Sequence, residues 1–403
     1  MKQSTDKVIS RRSVLRWSAS LVPALLSPTV SAQSTLKKME HDLRISMKLE
    51  KVFPNGGSIQ VSPDSTLGCL YLTNERDTKF KWSGGIWRQN NKSSNDELLV
   101  LEIGSWKILR SIQLFERFDW VRFFGEGKSI YMETASFWVD GKHISKRTII
   151  NIQSGKREDK LREVRANPLE IGLLNPADHG NLLGTERNGA TGVDEALVLV
   201  AAPDYKEVRR VPLEKADPRT QTDQILSNDR KTFVDVRNSN VFYRRAEDLS
   251  VIWKQPFSDQ MHPRWAMISA DGSRAAVVLL DTYYIPNQHV CYIEVLNTKD
   301  GTQVARIPVN GHEGTAISPH GKLLAVSQQE MLNPKTRETR PTVNIYEVAS
   351  GKRLTSITHD PLHPPGGPYI ANLSPQFTSD GKYLISSGAD GTKIWKIESS
   401  EII

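Results

Sequence analysis

Four residues of this chain have the types that could hold a transition metal: His359, Asp360 and His363 close together, and His312 upstream. Neutral imidazoles with a carboxylate suit zinc or a related ion. The same segment carries Pro361, Pro364, Pro365 and Pro368, which make it a stiff surface loop. Histidines with a structural or incidental role are the plainer alternative, and no cofactor is expected from these residues alone.

Other chemistries fail on spacing. His312-Glu313 begins a zinc-protease pattern, but Ala316 stands where a second histidine must share the helical face. A glycine-flanked serine nucleophile, a haem-attachment Cys-x-x-Cys-His and a phosphate-cradling glycine loop are missing from the sequence. No catalytic residue is assigned.

Binding chemistry is better represented. Lys79, Phe80, Lys81, Trp82, Ile86, Trp87 and Arg88 bring aromatic rings and cations together around Gly84 and Gly85. Tryptophan, tyrosine and arginine are the residues that most often anchor interfaces. Trp138 and His143, with Tyr283 and Tyr284, extend the set. A lid that packs its own aromatics against the scaffold is the alternative use of the same residues.

The elements that must position these residues are short strands and tight turns. Ser374 to Ser399 reads as a turn at Asp380-Gly381, a strand, a turn at Asp390-Gly391 and another strand. Turns of the first kind recur upstream about every fifty residues. Ser318-Pro319-His320-Gly321, Ser269-Ala270-Asp271-Gly272 and Ser62-Pro63-Asp64-Ser65 are clear copies, with weaker ones at Gly125 to Gly127, Pro176 to Gly180 and Ser227 to Arg230. Each leads into a strand, a connection and a further hairpin, so the period is four strands repeated seven times. A sheet that small must stack on its copies, which predicts an all-β, seven-bladed β-propeller of four-stranded antiparallel blades.

The Ser-Pro-Asp-Gly-like turns, the Gly311-His312 pair and Asp390-Gly391-Thr392-Lys393-Ile394-Trp395 resemble the WD-repeat and YVTN-type propellers, over roughly residues 43 to 398. In the WD-repeat family a histidine near His312 is a structural hydrogen-bonding residue, so the resemblance implies that role there. The Trp-Asp dipeptide is replaced by Trp395-Lys396 and Tyr346-Glu347, which leaves the family's polar tetrad unsupported by sequence.

Residues 1–32 read as a twin-arginine export signal: Ser10-Arg11-Arg12-Ser13-Val14-Leu15-Arg16, a modest apolar run from Trp17 to Val30, and a small-residue cleavage site at Val30-Ser31-Ala32. An ordinary secretion signal is the alternative. The run is too short to span a bilayer, and no transmembrane segment is expected in the mature chain. This segment holds +4 of the net charge of +7, so about +3 remains and a nucleic-acid partner loses its electrostatic support. Residues 33–42 form a polar lead-in, and residues 43–403 a single propeller domain. Leu43 to Val52 alternates as a strand without a hairpin partner, while the last blade has only three strands; the expectation is that the first strand closes the last blade. Cys69 and Cys291 fall in blades one and five, which are not neighbours, so both are expected to be small buried hydrophobes rather than a bridge.

Extra residues accumulate between the second and third strands: Thr73 to Glu97, Glu133 to Arg147, Thr185 to Glu195, Asp281 to Val290 and Gln328 to Pro341. These connections, and Thr358 to Asn372, leave the disc on one face. Loops that grow on one side of a rigid scaffold are where binding concentrates. Two functions follow as expectations. One is an exported, non-catalytic propeller that binds a protein, peptide or glycan on this face. The other is an exported enzyme whose metal or quinone-type cofactor lies at the central channel, as in propellers that resemble this one.

Overall fold

The computed structural model describes residues 43–54, 56–72, 81–83, 86–88, 96–114, 120–124, 127–133, 137–139, 142–163, 169–171, 175–176, 181–188, 193–201, 206–214, 223–257, 261–281, 290–310, 314–333, 338–360, 375–388 and 390–399. Residues Leu43–Ile403 make one compact unit.

The chain opens on β1 (Ile45–Phe53). Blade one holds β2 (Gly56–Val61) and β3 (Leu67–Leu72), an insertion with β4 (Lys81–Ser83) and β5 (Ile86–Arg88), then β6 (Asp96–Glu102) and β7 (Ile108–Leu114). Blade two has β8 (Trp120–Phe124), β9 (Ser129–Glu133), the short β10 (Phe137–Val139), β11 (Lys142–Asn151) and β12 (Arg157–Glu163). In blade three the inner strand is split into β13 (Leu169–Ile171) and β14 (Asn175–Pro176), followed by β15 (Asn181–Asn188), β16 (Asp194–Ala201) and β17 (Lys206–Pro212). Blade four is β18 (Asp223–Leu226), β19 (Thr232–Arg237), β20 (Asn240–Arg245) and β21 (Val251–Pro256). Blade five is β22 (Met261–Ile268), β23 (Arg274–Asp281), β24 (Val290–Asn297) and β25 (Gln303–Asn310). Blade six is β26 (Gly314–Ile317), β27 (Leu323–Asn333), β28 (Glu338–Glu347) and β29 (Arg353–Thr358). The last is β30 (Gln376–Phe377), β31 (Tyr383–Gly388) and β32 (Gly391–Ser399).

Every pairing among the described residues is antiparallel, and all but one join strands of the same stretch of chain, the inserted β4–β5 ribbon, β10 and β14 being the only strands passed over. The exception is β1, which pairs with β32 and makes the outer strand of blade seven. The seven four-stranded blades form the propeller expected from the repeats, ring closure included, and no helix occurs among the described residues.

The repeated turn folds because its side chains supply the hydrogen bonds that a reversing backbone lacks. Ser62, Ser227, Ser269 and Thr378 each donate to the aspartate two residues on, at 2.6, 2.6, 2.7 and 2.6 Å. The same hydroxyls accept the N–H of the residue that enters the next strand, as Leu67, Arg274 and Tyr383 show at 2.9, 3.0 and 3.1 Å. Partial burial opposes ionisation of Asp64, Asp271 and Asp380, but the hydroxyl and backbone N–H donors outweigh it and lower each pKa. In blade six His320 replaces the aspartate, and its ring reaches Asp271 of the neighbouring turn at 3.1 Å.

The core lies between blades rather than within them. Phe377, Leu384 and Ile397 of blade seven pack with Leu323, Val343 and Ile357 of blade six, and Leu43 beside β1 joins them. Comparable buried clusters fill the seams between blades one and two, three and four, four and five, five and six, and seven and one. Cys69 and Cys291 sit in such seams, both free and buried. Burial pushes both thiols up, that of Cys291 to about 12, so they remain inert thiols at neutral pH.

Closure depends on one glycine. Gly391 has φ +105°, and a Cβ there would run into the backbone oxygens of Phe53 and Pro54 at the end of the closing strand. Gly391→Ala is therefore expected to cost at least about 2 kcal/mol, from left-handed strain plus the displaced strand end. Denaturant unfolding would register this as a lower midpoint; an unchanged midpoint would refute it.

The extra residues between second and third strands are less often loops than the sequence suggests. In blade six β27 runs on to Asn333 and β28 starts at Glu338, so most of Gln328 to Pro341 is an extended hairpin. In blade three β15 reaches Asn188 and β16 begins at Asp194. Both hairpins keep the antiparallel ladder going past the blade, which satisfies backbone groups that a loop would leave to water.

Candidate functional site

The blade-one insertion contains a two-stranded ribbon. In it Trp82 lies directly opposite Trp87, and Lys81 directly opposite Arg88. Opposed residues of an antiparallel pair share a face and successive residues alternate, so the two tryptophan positions occupy one face and the two cation positions the other. Blade two repeats the device: β10 adds to the extended end of β11, with Trp138 opposite His143. The two hairpins rise from the same connection of adjacent blades. Lys79, Phe80, Tyr283, Tyr284, His312 and His363 lie outside the described residues.

The foot of the first insertion is pinned by groups that the sequence did not single out. Tyr71, near the end of β3, donates its hydroxyl to the buried carboxylate of Asp96, the first residue of β6. Gln113 donates to the Asp96 carbonyl at 3.0 Å. An aromatic hydroxyl twenty-five positions from its acceptor carries no local sequence signal, because the register of β3 against β6 makes the pair.

His359 ends up in a hydrogen-bonded chain. Its ring is buried, with Nδ1 2.5 Å from Asp390 Oδ1 and Nε2 2.8 Å from Ser386 Oγ. Trp395 Nε1–H donates to the same hydroxyl at 3.0 Å. A carboxylate only accepts, so Nδ1–H donates to Asp390, while Ser386 Oγ joins Nε2 to the indole N–H of Trp395. Asp390 also accepts the backbone N–H of Asp360 at 2.9 Å and pairs with Lys393 at 2.6 Å. Burial opposes its ionisation, yet the bonds from His359, Lys393 and the Asp360 backbone prevail and hold its carboxyl well below the usual carboxylate range. Lys393 further donates to the Thr358 carbonyl at 3.2 Å, tying blade seven to the connection before it.

This arrangement bears on the metal candidates. Both ring nitrogens of His359 are engaged, leaving no lone pair for an ion, and Asp360 contributes a backbone N–H to the network while its side chain is exposed. Among the described residues no group of three metal-ligating side chains converges. A polar tetrad of histidine, aspartate, serine and tryptophan is thus present without the Trp-Asp dipeptide.

The central channel opens into a cavity of about 240 Å³ between the inner strands, on the side of the Ser-x-Asp turns. Ser62, Ser65, Asn228, Thr315, Gln376 and Ser379 supply its polar lining, and Met267, Ile268, Ile317 and Phe377 much of the rest. Among the described residues the lining carries no titratable side chain, and hydroxyl and amide oxygens alone are a poor donor set for a transition metal. The described lining also lacks a side-chain cation to hold an anionic cofactor.

No family model matches the sequence, and no curated protein matches it. Solved structures do. The chain is similar to Kuenenia stuttgartiensis hydrazine synthase, with TM-score 0.53 and 14 % identity over 88 % of this chain and 98 % of that one. It is also similar to KlHsv2 with loop 6CD replaced by a Gly-Ser linker, with TM-score 0.51 and 10 % identity over 85 % and 96 %. At such identity the likeness extends to the fold alone.

Proposed function

We propose that this chain is an exported propeller of the WD-repeat kind that binds a protein, peptide or glycan partner through its insertion face and performs no chemistry of its own. The observation that carries the reading is the register of the blade-one ribbon, in which Trp82 and Trp87 stand opposite one another at the end of a clamped insertion. Paired aromatic positions on a two-stranded ribbon suit stacking on a sugar ring or enclosing an apolar side chain. The tetrad of His359, Asp390, Ser386 and Trp395 supports the WD-repeat kinship. Export rests on the twin-arginine segment, and among the described residues no helix is long and apolar enough to cross a membrane.

The enzyme reading draws less support, because among the described residues the channel lining offers no acid, base or nucleophile with an activating partner. The double variant Trp82→Ala, Trp87→Ala is expected to lose capture of its partner from a periplasmic extract while its unfolding free energy stays within about 1 kcal/mol of wild type. Retained capture would sink the binding reading. A large loss of stability would mean that the ribbon is a packing lid.

A further inference from the structure

Blade four buries more positive charge than it neutralises. Asp235 is 0 % exposed, Arg237 2 % and Arg244 6 %. Arg237 grips the carboxylate through Nε, at 2.9 and 3.0 Å from the two oxygens, and through Nη2 at 2.6 Å. Arg244 adds its Nε at 3.0 Å, sends Nη1 to the Leu249 carbonyl at 3.0 Å, and lies over the Phe242 ring. Guanidinium groups do not deprotonate in proteins, so one carboxylate serves two fixed cations and one positive charge is left over. The carboxylate oxygens, already met by four N–H contacts, have no room for another donor. Arg237 Nη1 is buried and has no hydrogen-bond partner among the described residues.

Position and periodicity say where this open donor lies. Phe233, Asp235 and Arg237 alternate along β19 and share one face, and Phe233 packs with Leu183, Leu197 and Leu199 of blade three. Gln224, opposite Asp235 on β18, crosses the same seam to the Thr185 hydroxyl at 2.5 Å. Arg237 is the last residue of β19, next to the Asn238-Ser239 turn, so its end of the seam lies toward the insertion face.

We infer that the seam between blades three and four holds a small oxyanion against Arg237 Nη1. An anion there removes the surplus charge and satisfies Arg237 Nη1, two costs that burial otherwise imposes on the fold. A guanidinium edge suits a carboxylate or a phosphate, which its two N–H vectors can reach at once.

The test is titration calorimetry of the full chain with inorganic phosphate and with acetate, against chloride at equal ionic strength. Saturable binding of either anion at one site per chain, with a rise in Tm that follows the same curve, is the expected result. Arg237→Met leaves Asp235 and Arg244 as a neutral pair, so it should weaken that binding at least about tenfold while the anion-free protein melts no lower than wild type. If Arg237→Met does not fold, Arg237→Lys replaces it, since it keeps the charge and loses the far guanidinium nitrogen, with the same expected loss. No saturable binding beyond the chloride control, or equal binding by the variant, would overturn the inference; in the first case water alone meets the open donor.

Discussion

A chain that begins after Phe53 is expected to lose its cooperative unfolding transition. β1 has eight register partners on β32, from Ile45 opposite Ser399 to Phe53 opposite Thr392, and without it the third strand of blade seven is a bare edge. Leu43, Ile45 and Met47 also leave the cluster that holds blades six and seven together, uncovering Phe377, Leu384 and Ile397. The loss does not stay local, because each blade is stable only through its two seams and the ring turns an open seam into two. Near-ultraviolet circular dichroism and a thermal scan would read it, with a chain starting at Leu43 as control. A peptide of residues 43–53 added in trans should restore part of the transition by re-forming the outer strand. A truncated protein that keeps the control's midpoint would show that blade seven stands on three strands.

The ring and its closure were legible in the sequence because they are written locally. The Ser-x-Asp turn announces itself by residue type, since a hydroxyl and a carboxylate two positions apart bond each other and the returning backbone, as at Ser269 and Asp271. An unpaired strand at one end and a three-stranded unit at the other could be matched by counting. The extent of blade six was not legible, because Gln328 to Pro341 is polar and carries Pro334 and Pro341, signals of a loop that the long hairpin overrides. Gly311-His312, where a glycine announces the histidine, lies outside the described residues, and nothing local announces His359, whose partners Ser386 and Asp390 lie in the next blade. The surplus arginine escaped for a related reason. In a strand reading Thr-Phe-Val-Asp-Val-Arg, Asp235 and Arg237 look like the solvent face, and only the neighbouring blade makes that face interior.

The tetrad makes a prediction whose sign can be worked out. Asp390→Ala would leave His359 Nδ1–H, Lys393 and the Asp360 N–H facing a void at a largely buried position, and removing one partner of such a pair costs roughly 3–5 kcal/mol. The dependence on pH separates this from a plain packing defect. The folded-state pKa of Asp390 lies below its unfolded value, so its contribution is fully present above the ordinary carboxylate range and fades as pH falls through that range toward the folded-state value. The gap between wild type and Asp390→Ala should therefore be widest near neutrality and narrow as pH drops below about 5. Asp64, Asp271 and Asp380, whose pKa values are also lowered, keep some acid sensitivity in the variant, so its profile flattens without becoming level. Urea unfolding at a series of pH values would measure the gap directly. A gap that stays constant from pH 7 to about pH 3, or that is below about 1 kcal/mol at neutrality, would mean that the Asp390 carboxylate is not what joins the last connection to blade seven.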